Sequence, residues 1–168
     1  MSQIADGSFF EHVSSAFKEN DPDSPQRERE SAHVRCVQLL YHAIARGAFA
    51  ESLELVTDDF VLEIFGPPSS PFNGRWQGRD DVLAAMQRNF SMLRDQRPEI
   101  ESLVAQGDQL IVVARESGQV CETGQTYHVR WMQEFTFANG KIKAVRELID
   151  GGADFGSPDS DASVSIAT

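Results

Sequence analysis

Residues 71–86 read PFNGRWQGRDDVLAAM. Gly74 and Gly78 stand four apart with Trp76 between them, and a helix-like run follows. A phosphate loop would need a Lys-Ser/Thr pair after the last glycine, but Arg79 and Asp80 stand there. A glycine pair for membrane-helix contact would need a long apolar surround, and this stretch is charged. The alternative is structural punctuation: a tight chain reversal that ends in a helix start, with Asp80 and Asp81 suited to the positive N-terminal end. The stretch therefore takes its meaning from its neighbours.

Upstream, Ser24-Pro25 suits a helix start, and Val34, Val37, Leu40, Tyr41 and Ile44 form one stripe up to Arg46, with Gly47 as the stop. AFAESLELV predicts a shorter second helix, and FVLEIF (60–65) a strand. GPPSSPFNG is a loop by composition. RDDVLAAMQRNFSML predicts a third helix whose apolar stripe is Val82, Met86, Phe90 and Leu93. After Pro98 come four strand candidates, EIESLVA, QLIVVARES, TYHVRWMQEFTF and KIKAVRELI, joined by turn-like segments. Three helices interleaved with one strand, then a four-strand meander, predict an α+β domain with one curved sheet around the helices and a pocket between them.

The ends differ from this centre. Residues 1–30 hold seven acids and three bases, residues 150–168 four acids and no base, and the whole chain of 168 residues carries a net charge of −11. We expect an N-terminal extension over 1–30, in which Phe9, Phe10, Val13 and Phe17 mark a short amphipathic helix that could act as a pocket lid. The domain itself is expected over 31–150, and a disordered acidic tail over 151–168. The acidity speaks against nucleic-acid and anionic-membrane partners. No apolar run reaches the roughly 20 residues of a membrane span. The N-terminus lacks the pattern of a signal peptide. Cys36 and Cys121, far apart, suggest reduced thiols and a cytoplasmic protein. His12, His33 and His42 have no partner at ligand spacing, so no metal site is expected.

The stretches ARGAFAESLELVTDDFVLEIFGPP, PFNGRWQGRDDVLAAM and FTFANGKIKAVRELID resemble the SnoaL-like, ketosteroid-isomerase-related branch of the nuclear-transport-factor-2-like superfamily, over about Val34 to Asp150. The resemblance implies the cone-shaped, cystatin-like α+β fold of that superfamily, with a curved, mostly antiparallel sheet wrapped round three helices. Its isomerases use an Asp base with a Tyr and a protonated Asp as oxyanion donors. Here the base position falls on Ile64, the Tyr position on Leu40 with Tyr41 one residue away, and the second Asp on Gln133. Similarity to limonene epoxide hydrolase, which shares the fold, matches its Arg to Arg115 and its last-strand Asp to Glu147. The other Asp falls near Glu116 or Ser117, and the water-holding positions fall on Leu62 and Ile64.

Strand alternation puts Trp131, Gln133, Phe135 and Phe137 on one face of their strand and His128, Arg130, Met132 and Glu134 on the other. Val145, Glu147 and Ile149 share a face that, by resemblance, lines the pocket. Arg115 and Glu147 are thus the candidate catalytic pair, expected to meet inside the cavity; the bland alternative is an ion pair that ties two strands. Leu40, Tyr41, Leu62, Ile64, Met86, Phe90, Trp131, Gln133 and Phe135 are the candidate ligand contacts. The functional expectation is a cofactor-independent isomerase, cyclase or epoxide-hydrolase-like enzyme for a small apolar, oxygen-bearing molecule. The alternative is a non-catalytic binding or interaction module with a vestigial pocket. The sheet face that bears His128, Arg130 and Met132 needs cover, which predicts a homodimer through it.

Overall fold

The computed structural model describes residues 25–150; the expected N-terminal helix and acidic tail lie outside the described residues. Helix α1 (Pro25–Ala45) opens with its proline in the first turn and closes at Gly47. There the Ala48 N–H donates to Ala43 O at 2.9 Å and the Gly47 N–H to Ile44 O at 2.8 Å, which satisfies the last carbonyls of the helix. The second predicted helix is one short turn, α2 (Phe49–Ser52), continued by a tighter turn over Leu53–Leu55. Strand β1 (Val56–Phe65) begins four residues before the predicted FVLEIF.

The opening stretch is where the structure first departs from expectation. Its expected tight reversal is instead a short edge strand, β2 (Gly74–Gln77), paired antiparallel with β1 through Ile64↔Gly74 to Val61↔Gln77. A Cβ on Gly74 would stand 2.5 Å from the Trp76 ring, so the ring lies across a position that only glycine leaves open. Gly78 then turns the chain at φ 86° into helix α3 (Arg79–Ser91), and Asp80 and Asp81 occupy its first turn. Leu93, expected on the helix stripe, instead opens β3 (Leu93–Gln106). The meander continues as β4 (Gln109–Val120), β5 (Thr126–Ala138) and β6 (Lys141–Ile149).

The sheet runs β2-β1-β6-β5-β4-β3, with β1 and β6 parallel and the other neighbours antiparallel. Register shifts in β3 on either side of Arg97–Ile100 bend that edge strand, where Pro98 costs the sheet no inner hydrogen bond. The inner face of β4 contributes Leu110, Val112 and Ala114, all fully buried, which pack with Phe135 and Ile142 beneath Val37, Leu40 and Val82 of the helices. Glu30 of α1 accepts from the Gly107 N–H at 2.8 Å and so pins the helix to the β3–β4 turn.

The outer face mixes charge and apolar surface. Glu63 receives Arg75 (2.9 Å) and Arg146 (3.2 Å), and Arg146 also reaches Glu134 (3.3 Å). Beside these pairs, Phe65, Leu148, Met132 and Val113 stand opposite one another on four adjacent strands, an apolar row across the sheet.

Candidate functional site

Between the helices and the concave face of the sheet lies a cavity of about 600 Å³. All nine side chains singled out from the sequence as ligand contacts, from Leu40 to Phe135, line it. Glu147 lines it too, but Arg115 does not. The expected Arg115–Glu147 pair is absent. Arg115 projects from the opposite face of β4, where its side chain is 62% exposed and pairs with Glu99 at 2.6 Å. The cause is strand parity. Ala114 stands opposite Trp131, whose side chain faces the core, so Ala114 faces the core and the next residue must face outward.

The same parity turns Glu116 inward. Its Oε1 accepts from Tyr127 Oη (2.5 Å) and Gln96 Nε2 (3.1 Å), and its Oε2 from Trp131 Nε1 (3.2 Å). Tyr127 reaches it by lying across Gly118, its partner in the ladder; a Cβ there would stand 2.6 Å from the phenol oxygen and 2.8 Å from the ring. Burial raises the Tyr127 phenol well above its ordinary range, and the Glu116 bond and charge add to this.

Glu147 sits at the end of a second chain. Tyr41 Oη donates to Gln133 Oε1 at 2.7 Å, and Gln133 Nε2 donates to Glu147 Oε2 at 3.1 Å. The orientation follows from chemistry: a phenol donates to the amide oxygen, which leaves the amide nitrogen for the carboxyl. Burial pushes the Glu147 carboxyl up to about 7; the Gln133 hydrogen bond opposes this, and the charge of Glu116 adds to it. What stays open of Glu147 faces the cavity that it lines. Burial, with the Glu147 charge, also raises the Tyr41 phenol, which therefore stays a donor.

A third polar group went unnoticed in the sequence. Asn89 of α3 is 8% exposed and lines the cavity. Both Nε (3.2 Å) and Nη2 (2.9 Å) of Arg88 donate to its Oδ1. Arg88 can only donate, so this contact fixes the amide with its NH₂ away from Arg88. Arg88 in turn lies 5.6 Å over the Trp76 ring. The opening stretch thus supports the site indirectly: Gly74 admits the Trp76 ring, the ring carries Arg88, and Arg88 orients Asn89. Ser52 also lines the wall, but its hydroxyl already donates to Phe49 O at 2.7 Å.

No histidine, lysine or arginine lines the cavity among the described residues. His33 is buried elsewhere, stacked on Phe137 at 3.8 Å between ring centres. Cys36 and Cys121 are both free thiols, half-buried and exposed respectively. Among the described residues, no three or more His, Cys, Asp or Glu side chains gather as metal ligands, and no helix is long and apolar enough to cross a membrane.

Fold and cavity together define a nuclear-transport-factor-2-like protein: a cone of mostly antiparallel sheet closed by helices over an apolar chamber. Residues 37–145 match the SnoaL-like domain, and the chain belongs to that family. Among solved structures, a nuclear-transport-factor-2-like protein from Burkholderia xenovorans is 26% identical with a TM-score of 0.62, over 72% of this chain and 91% of that one. A candidate isomerase from Rhodopseudomonas palustris is 25% identical with a TM-score of 0.61, over 71% and 90%. A candidate SnoaL-like polyketide cyclase from Jannaschia, 21% identical with a TM-score of 0.62 over 77% and 91%, shares the fold. No curated protein matches the sequence.

Proposed function

We propose that the protein is a cofactor-independent acid–base enzyme of the isomerase or cyclase type, acting on a small apolar carbonyl compound, with Glu147 as the proton-transferring group. The observation that carries this is the Glu147 carboxyl, raised to about 7 by burial in an apolar cavity and held by the Tyr41–Gln133 chain. A group poised near neutral pH can both take and return a proton. In the step proposed, Glu147 removes a proton from the carbon next to a carbonyl, and the C–H electron pair moves into the carbonyl π system to give an enolate. In a β,γ-unsaturated substrate, return of the proton at the γ carbon moves the double bond into conjugation; attack of the enolate carbon on a second carbonyl of the same molecule would instead close a ring, with Glu147 returning the proton to the new alkoxide. Likeness to the candidate isomerase of Rhodopseudomonas palustris supports the first outcome. Arg115, on the outer face, has no part in this scheme.

The test uses tetralone as a probe in deuterated water, with exchange at the carbon beside the carbonyl followed by NMR. Wild-type protein should catalyse exchange, with a rate that rises as pH passes through about 7, where Glu147 loses its proton. Glu147→Gln should abolish the catalysed component while leaving the probe bound. If wild-type protein binds the probe without exchanging it, the binding-module alternative prevails; if the Gln variant exchanges it equally well, Glu147 is not the proton-transferring group.

A further inference from the structure

The polar groups of the cavity are unevenly assorted. Two carboxyl groups face it, Glu116 and Glu147, and the described residues that line it supply no cationic side chain to set against them. An anionic ligand would lose its hydration on entry and find two carboxyl groups and, among the described residues, no cationic side chain to compensate it. Glu116 has filled three of its roughly four acceptor positions with Gln96, Tyr127 and Trp131, which leaves room for one more donor. Its three donors hold the carboxylate in place, and the open Gly118 lets Tyr127 reach it. At another wall, Asn89 is more than nine-tenths buried, its oxygen is taken by Arg88, and its NH₂ has no hydrogen-bond partner among the described residues. A donor so placed in a cavity wall is open to an acceptor from a ligand.

From these we infer that the cavity selects neutral hydroxylated carbonyl compounds and rejects carboxylates and phosphates: Glu116 accepts a hydrogen bond from a ligand hydroxyl, and the Asn89 amide donates to a ligand carbonyl oxygen. The inference deepens the acid–base reading and rests on it for the carbonyl, but recognition needs no proton transfer. It can therefore be tested by binding alone.

Three matched probes suffice: a tetralone with a hydroxyl on its aromatic ring, the same compound with that hydroxyl methylated, and the same compound with a carboxylate in its place. Calorimetric titration near neutral pH should give the hydroxyl compound the tightest binding. The methylated compound should bind about tenfold more weakly, the expected loss of one hydrogen bond to a charged acceptor. The carboxylate should bind at least about 30-fold more weakly still than the hydroxyl compound, since an unpaired charge must be desolvated. Glu116→Gln should shrink the preference for hydroxyl over methoxy, and Asn89→Ala should weaken all three probes. Equal binding of the hydroxyl and methoxy compounds by wild-type protein would overturn the role of Glu116, and tight binding of the carboxylate would overturn the charge selection. Failure of all three to bind would overturn the whole inference. These outcomes on wild-type protein do not depend on whether either variant folds. A failure of the proton-transfer reading, seen as absent deuterium exchange, would leave this ranking in place, and so would repeating the titrations in Glu147→Gln protein.

Discussion

Replacing Glu147 by Gln should make the protein more stable at alkaline pH, with a gain that depends on pH in a defined window. In the unfolded chain Glu147 titrates near 4.5, whereas burial raises it to about 7 in the folded protein. Between these values the folded state keeps a proton that the unfolded state has lost. Stability attributable to Glu147 is therefore fully present below pH 4.5, falls as pH rises, and is lost above about pH 7. The interval from 4.5 to about 7, at about 1.4 kcal/mol per pH unit, corresponds to about 3 kcal/mol. A Gln side chain has no charge to desolvate, and its amide oxygen can still accept from Gln133. The stability difference between Gln variant and wild type should thus grow by about 3 kcal/mol in favour of the variant as pH is raised through the window. Urea unfolding at a series of pH values reads this directly; for a protein of this size it corresponds to a relative midpoint shift of roughly 1–3 M. Adding Glu116→Gln should reduce the effect, because one of the charges that raises Glu147 is then gone. A difference that stays flat with pH would show that Glu147 ionises as a solvent-exposed carboxyl does, and would refute the reasoning. So would a loss of several kcal/mol at every pH, the signature of a buried cation left unpaired.

Three further outcomes follow from the geometry. Gly118→Ala places a methyl group 2.6 Å from Tyr127 Oη, so Tyr127 must leave Glu116; chemical denaturation should show a loss of about 1–3 kcal/mol. Arg115→Ala should change neither the denaturation midpoint nor probe binding in calorimetry, because the side chain lies in solvent with Glu99 on the outer face. Sedimentation at micromolar concentration should give a dimer, and Met132→Glu, which puts a charge in the middle of the Phe65–Leu148–Met132–Val113 row, should give a monomer; Phe65, Leu148 and Met132 are 51%, 42% and 36% exposed in the single chain, more apolar surface in one row than solvent favours.

Much of the architecture was legible because it rests on period and punctuation. KIKAVRELI is β6 to the residue, and the alternation in TYHVRWMQEFTF gave the faces of β5 correctly: Trp131, Phe135 and Phe137 are buried, and His128, Arg130 and Met132 exposed. GRWQ begins with one glycine, is followed by another and holds one aromatic, too little local preference for a strand to outweigh the turn signal. Its strand state comes from the neighbouring β1, which offers an unpaired edge. The spacing of Leu93 continues the Val82–Met86–Phe90 stripe and so predicts helix; the helix ends two residues earlier, and the same side chain reaches the core from a strand instead.

The error at Arg115 is more instructive, since it turns on a single register that only the structure supplies. QLIVVARES has apolar residues at Leu110, Val112 and Ala114 on one parity and at Ile111 and Val113 on the other, so composition alone leaves the inner face of β4 ambiguous. Resemblance to the epoxide hydrolase then selected the parity that carries an arginine. The decision lay one strand further on. The side of Trp131 was already known, and antiparallel pairing across the turn fixes Ala114 opposite it, which sends Arg115 out and Glu116 in. The exchange reverses the electrostatics of the cavity. With Arg115 inside, Glu147 would be a paired carboxylate with a lowered proton affinity, and the chamber would welcome anions. With Arg115 outside, Glu147 is buried without a cationic partner among the described residues and rises to about 7, the Glu116 charge adding to the effect of burial. One residue of register thus decides whether Glu147 has a cationic partner inside the cavity or a second carboxyl, the difference on which both the proposed proton transfer and the proposed ligand charge depend.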